Sequence, residues 1–174
     1  GLAGSLLPER DDCIHKGDAG KLIILAGSKD YQGAGIMASF GALRSGAGLV
    51  TLAMPDCLAG NLSCQVLPET IVNFLPSTDG GFSLSEEKCE ELAGRYRTIL
   101  VGPGWGRGEK RAHTLASLLA HWKGLAILDA DAINLVAETG LPEQTAARLI
   151  ITPHLAEMAR LCQTTVADVA ENQI

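Results

Sequence analysis

The sequence has no excess of positive charge, no Cys-x-x-Cys pair, few aromatic residues and no long hydrophobic run. Fourteen Lys and Arg against 20 Asp and Glu leave a formal net charge of −6. That balance speaks against nucleic acid or an anionic membrane as a partner. A small anion held by backbone amides would not register in such a count. The five cysteines, Cys13, Cys57, Cys64, Cys89 and Cys162, are odd in number and irregularly spaced. They read as reduced thiols, with no disulfide framework and no protein metal centre. No apolar run approaches the ~18 residues that span a bilayer. The opening GLAGSLLPERDDC lacks the basic start and apolar stretch of a signal peptide, so no membrane association and a cytoplasmic location are expected. Asn61-Leu62-Ser63 matches a glycosylation sequon and is read as chance in that setting.

What is present is 174 residues, 47% of them hydrophobic, with 20 glycines. The length suits one domain with a sizeable core. The aliphatic content is too high for disorder, and glycine shows no collagen period. Short apolar runs alternate with helical ones. Strands are predicted at 21–26, 49–54, 71–75, 98–101, 125–128 and 149–151. Helices are predicted between them at 34–47, 85–94 (with Ser85 as cap), 110–122, 132–138 and 153–162. A last helix-like stretch runs from Thr165 to Ile174. Continuous apolar strands alternating with helices predict a mainly parallel sheet covered on both faces.

In such sheets ligands collect at the carboxyl ends of the strands, and the unusual residues fall there. Gly33-x-Gly35-x-x-Ala38, with Asp56 after the next strand, fits a dinucleotide fingerprint. The fit is loose, because a true fingerprint turns tightly at the strand end and here Ser28 to Gly33 intervene. Glycines for a turn and for close packing are the competing explanation. A P-loop is excluded, since His15 stands where its first glycine is needed.

Gly102-Pro103-Gly104-Trp105-Gly106 leaves backbone bare for a ligand to approach N–H groups. Trp105 either stacks on a flat ligand or covers the core. Asp129 and Asp131 alternate at a strand end, which would point both carboxylates at one pocket. Asp131 also suits a cap for a helix starting at Ala132, whereas Asp129 suits a ligand or magnesium. Thr152 and Pro153 read as N-cap and first residue of the following helix. Glu157 is then too far along for a capping box. His154 and Glu157 share a helix face at the same sheet edge.

Five segments taken together resemble the ADP/ATP-dependent NAD(P)H-hydrate dehydratases, a branch of the ribokinase-like superfamily. They are HKGDAGKLIILAGS (15–28), YQGAGIMASFGALRSGAGLV (31–50), VGPGWG (101–106), LDADAINLV (128–136) and ITPHLAEMARL (151–161), in the family's order. The resemblance implies a three-layer α/β ribokinase-like fold with a mainly parallel central sheet over residues 17–174, after an arm or linker over 1–16. It implies repair of hydrated NADH or NADPH (NADHX, NADPHX). ATP or ADP, with Mg2+, phosphorylates the ring hydroxyl, and loss of phosphate restores the cofactor. By the same resemblance the substrate contacts Gly33, Ala34, Gly102, Gly104, Gly106, Asp129 and His154, with Asp131, Thr152 and Glu157 in support.

Family members carry, beyond the T-P-H motif, a Lys-Gly strand and a G-T-G-D-like segment whose aspartate activates the hydroxyl. Neither occurs in residues 1–174. The C-terminal part of the domain, with the catalytic aspartate, is therefore expected beyond Ile174, leaving the substrate-side half of the site here. The leader GLAGSLLPER resembles the linker to an epimerase domain in bifunctional members, and a homo-oligomer is expected. Three alternatives stay open: a Rossmann-type NAD(P) oxidoreductase using Gly33, Gly35, Ala38 and Asp56; another ribokinase-like small-molecule kinase; and a non-catalytic partner in an oligomer.

Overall fold

The computed structural model describes residues 20–60 and 66–172. The expected arm, the His15–Asp18 motif, the Asn61 sequon, Cys13 and Cys64 lie outside them. The chain runs β1 (Lys21–Leu25), α1 (Gln32–Arg44), β2 (Leu49–Pro55), a single 3-10 turn (Asp56–Leu58) and β3 (Ile71–Leu75). A small hairpin, β4 (Ser77–Thr78) and β5 (Gly81–Phe82), precedes α2 (Glu86–Arg95) and β6 (Thr98–Val101). Then follow α3 (Glu109–His121), β7 (Leu125–Leu128), α4 (Asp131–Thr139), β8 (Arg148–Ile151), α5 (Leu155–Leu161) and α6 (Val166–Glu171).

Six strands form one wholly parallel sheet in the order β3-β2-β1-β6-β7-β8. Each run is apolar because alternate side chains enter different layers. Ile23 and Leu25 join the core under α2, α3 and α4, together with Ile99, Val101, Ala126 and Leu128. Ile24 and Ala26 join the core under α1, together with Val50, Leu52 and Met54. This is the expected three-layer arrangement. Coverage is uneven, however. β8 is an edge strand, and its Ile150 and Ile151 remain 47% and 44% exposed.

Local signals explain most boundaries. Ser85 caps α2 by accepting from the Lys88 N–H, with Glu86 and Glu87 in the first turn where the helix dipole favours acid. Two expectations about caps are corrected. α5 begins at Leu155, so its N-cap is His154, and Thr152 and Pro153 lie before the helix. His154 Nδ1 accepts from the Ala156 and Glu157 N–H groups, and Glu157 returns a bond to the His154 N–H, so a capping box does exist. Likewise α4 begins at Asp131, whose carboxylate is no cap; the N-cap position is Ala130.

Cys57, Cys89 and Cys162 are free thiols. Cys89 is a buried core residue, and burial pushes its thiol pKa up, away from the thiolate form. Among the described residues no helix is long and apolar enough to cross a membrane.

Candidate functional site

The strand order reverses at β1: the chain moves outward through β2 and β3, then returns to the other side with β6. A crevice at the carboxyl ends of β1 and β6 follows from that reversal. The same order is found in doubly wound dinucleotide-binding folds, so topology alone leaves the Rossmann alternative standing. The positions of the glycines remove it. Gly33 and Gly35 lie inside α1, after a loop of several residues. A Cβ on Gly35 would sit 3.1 Å from Leu52 Cδ1 and 3.3 Å from the Ala26 carbonyl oxygen, so Gly35 is there for close helix–sheet packing. Asp56 opens the 3-10 turn and accepts a hydrogen bond from the Ser77 hydroxyl.

The loops at the crevice extend the sheet's hydrogen bonding past the strand ends. Gly27 N–H donates to the Pro103 carbonyl (2.8 Å), Gly102 N–H to Leu25 (3.2 Å) and Asp129 N–H to Val101 (3.0 Å). The glycine loop after β6 is tied closely to its neighbours. Gly102 has φ +120, and a Cβ there would lie 1.9 Å from the Asp129 carbonyl oxygen. Gly104 has φ +64, and a Cβ would come within 2.7 Å of both Tyr31 Cβ and Ala34 Cβ. Only glycine fits either place. Trp105 turns inward, fully buried, with its ring 5.3 Å from that of Phe82. It covers the core and does not stack on a ligand.

Between this loop and the start of α1 lies a cavity of about 540 Å³, lined by Tyr31, Ala34, Gly104, Gly106, Arg107 and Asp131. The volume suits a small molecule or one end of a larger one. The expectation that the loop offers its N–H groups to a ligand holds only in part. Trp105 N–H is taken by the Gly102 carbonyl, and Gly106 N–H by Asp131 Oδ2 at 2.8 Å.

Nor do the two aspartates face one pocket. Ala130 adopts φ +51 and ψ −116, which turns the chain between them. Asp131 lines the cavity, and its other oxygen lies 3.9 Å from Arg107 Nε. Asp129 accepts instead from the Thr152 hydroxyl at 2.9 Å. Among the described residues no group of three or more His, Cys, Asp or Glu side chains could hold a metal ion.

Of the residues expected at a substrate, the structure therefore brings Ala34, Gly104, Gly106 and Asp131 together. Gly33 faces open space on α1, and Gly102 is buried against Asp129. His154 lies at the β8 end, with its Nε2 3.1 Å from Glu157 Oε1. Nδ1 accepts from the backbone N–H groups of Ala156 and Glu157, and Nε2 faces the buried Glu157 carboxylate. Sequence reasoning missed Tyr31 and Arg107 as cavity residues. Arg107 follows Gly106 directly and Tyr31 precedes the first turn of α1, and neither belongs to a recognisable motif.

A model of the NAD(P)H-hydrate dehydratase family matches residues 22–173. The chain belongs to that family. Among curated relatives of this dehydratase family, a bifunctional NAD(P)H-hydrate repair enzyme of Thermanaerovibrio acidaminovorans is 37% identical over 163 residues, covering 91% of this chain and 31% of that protein. A solved ADP/ATP-dependent NAD(P)H-hydrate dehydratase from Bacillus subtilis, co-crystallised with ATP/Mg2+, is 32% identical with a TM-score of 0.76. It covers 97% of this chain, which in turn covers 56% of it. A ribokinase-like superfamily protein from Enterococcus faecalis is 26% identical with a TM-score of 0.73, covering 91% of this chain and 54% of the other. The ribokinase-like α/β fold is thereby established for this dehydratase-family chain. It spans about a third of the bifunctional relative and just over half of each solved chain.

Proposed function

We propose that this chain forms the substrate-facing part of a nucleotide-dependent NAD(P)H-hydrate dehydratase. The carrying observation is the cavity at the β1/β6 strand ends, walled by a glycine loop locked against the start of α1, in a chain that matches the dehydratase family almost throughout. In this reading ATP or ADP, as its Mg2+ complex, is the phosphoryl donor. The hydrate and ATP give NAD(P)H, ADP and phosphate; with ADP the nucleotide product is AMP.

The residues described here supply positioning. Catalysis of phosphoryl transfer depends mainly on alignment and charge placement, and alignment needs a rigid seat. Gly102 and Gly104 allow the close fit of that seat, because any side chain at either position would collide with Asp129, Tyr31 or Ala34. The Tyr31 ring, 60% exposed, gives a flat ligand a face to lie on. Activation of the ring hydroxyl is assigned to none of these residues.

The test is titration of isotope-labelled protein with the hydrate of NADPH, followed by amide NMR. Shifts centred on Tyr31, Ala34, Gly104 and Arg107 are expected. No shift there, or shifts centred on Asp56, would reject the reading. A parallel assay with ATP or ADP reports whether the 174-residue chain itself restores NADPH.

A further inference from the structure

At one end of the cavity the charges are unusual for a site that receives a phosphate-bearing ligand. Asp131 Oδ2 accepts the Gly106 N–H at 2.8 Å, and Asp131 Oδ1 lies 3.9 Å from Arg107 Nε. Arg107 Nη1 donates to Glu138 Oε1 at 3.2 Å. A backbone N–H on a glycine turn beside a guanidinium is the kind of pair that takes phosphate oxygens. Here a carboxylate of the chain already occupies it. Arg107, Asp131 and Glu138 together carry one positive and two negative charges, so a second anion would meet repulsion.

We propose that Asp131 is a specificity-determining residue. By filling the anion seat made by the Gly106 N–H and the Arg107 guanidinium, it turns this end of the cavity toward an uncharged part of the ligand and away from its phosphates. The inference rests on the dinucleotide-hydrate reading above and deepens it. On that reading the neutral hydrated ring or its ribose lies against Gly104 and Gly106, while the pyrophosphate lies elsewhere. The same bond also fixes the loop. Gly102 and Gly104 lie close against neighbouring chain, whereas a Cβ on Gly106 would meet nothing within 4 Å, and the Asp131 bond ties that end.

The two roles separate in Asp131→Asn, which keeps an oxygen to accept the Gly106 N–H but removes the charge. Inorganic pyrophosphate is the probe, with the Gly106 and Arg107 amides followed by NMR. The wild-type chain should show little response at these amides. Asp131→Asn should bind pyrophosphate about tenfold or more tightly, with the shifts centred on Arg107, since its amide oxygen still takes the Gly106 N–H. Glu138→Gln, which leaves the Gly106 bond untouched, should give a smaller gain and supplies a second test should the first variant fold poorly. Equal pyrophosphate binding in wild type and both variants would overturn the proposal, as would pyrophosphate shifting Arg107 in the wild type as strongly as in Asp131→Asn. A wild-type chain that ignores the hydrate of NADPH, while Asp131→Asn gains pyrophosphate, would sink the functional reading and leave the charge argument standing.

Discussion

Gly33 and Gly35 alternate with another residue as Gly102, Gly104 and Gly106 do, and both sets follow an apolar strand, the first after a longer loop. In the fold the two are used differently. Gly33 and Gly35 lie in α1 with ordinary helical geometry, and what matters at Gly35 is the missing side chain, which lets the helix approach Leu52 and Ala26. Gly102, Gly104 and Gly106 all have positive φ, and what matters there is a backbone path that other residues rarely follow. The lesson is that glycine spacing signals a close approach without saying whether space or conformation is being used. The turn that shapes the cavity is the one that uses conformation.

Alanine substitutions put this contrast to measurement, because each adds one methyl group. The largest effect is expected for Gly102→Ala, where the methyl would overlap the Asp129 carbonyl at an already unfavourable φ. A loss of about 3–5 kcal/mol in urea unfolding follows from overpacking and backbone strain together. A loss under about 1 kcal/mol would show that the loop is free to shift and that its rigidity is overstated. Gly104→Ala comes next, at about 2–3 kcal/mol, since part of the clash is with side-chain atoms of Tyr31 and Ala34. Shifts of the Tyr31 and Ala34 amides in this variant should show the disturbance passing to the α1 side of the cavity.

Gly35→Ala should cost less, about 1 kcal/mol. The helix gains from alanine, but the Ala26 carbonyl at 3.3 Å belongs to backbone that cannot easily give way. Gly33→Ala is the opposite case. Nothing lies within 4 Å of its Cβ position, so a slight stabilisation of about 0.5 kcal/mol is expected, read as a higher urea midpoint with unchanged slope. If Gly33→Ala proved as damaging as Gly104→Ala, the two turns would not differ in kind, and the comparison would fail.

Much of the fold was legible because burial on both faces writes continuous apolar runs. All six sheet strands were readable on that basis, and the Ser85 cap from its own side chain and the acidic turn after it. The β4–β5 hairpin was missed because strands of two residues have no period to detect, although Asp79-Gly80 at its turn is a recognised hairpin signal. The candidate site was less legible. Thr152-Pro153 has the ordinary pattern of a helix start, but Thr152 N–H continues the sheet to the Leu128 carbonyl and its hydroxyl serves Asp129. The cap therefore passes to His154, a residue type seldom chosen for it. Arg107 and Tyr31 carried no pattern of their own and became cavity residues only through contacts between separate strand ends.

By itself the sequence determined the alternation of strand and helix, the parallel sheet and the family, since these depend on residue type and order along the chain. The tertiary structure alone decided which glycines needed their backbone freedom, that Trp105 belongs to the core, and that Asp131 and not Asp129 faces the cavity. Those outcomes turn on which backbone of one strand-end loop meets that of the next, and such meetings are made between residues far apart in the chain.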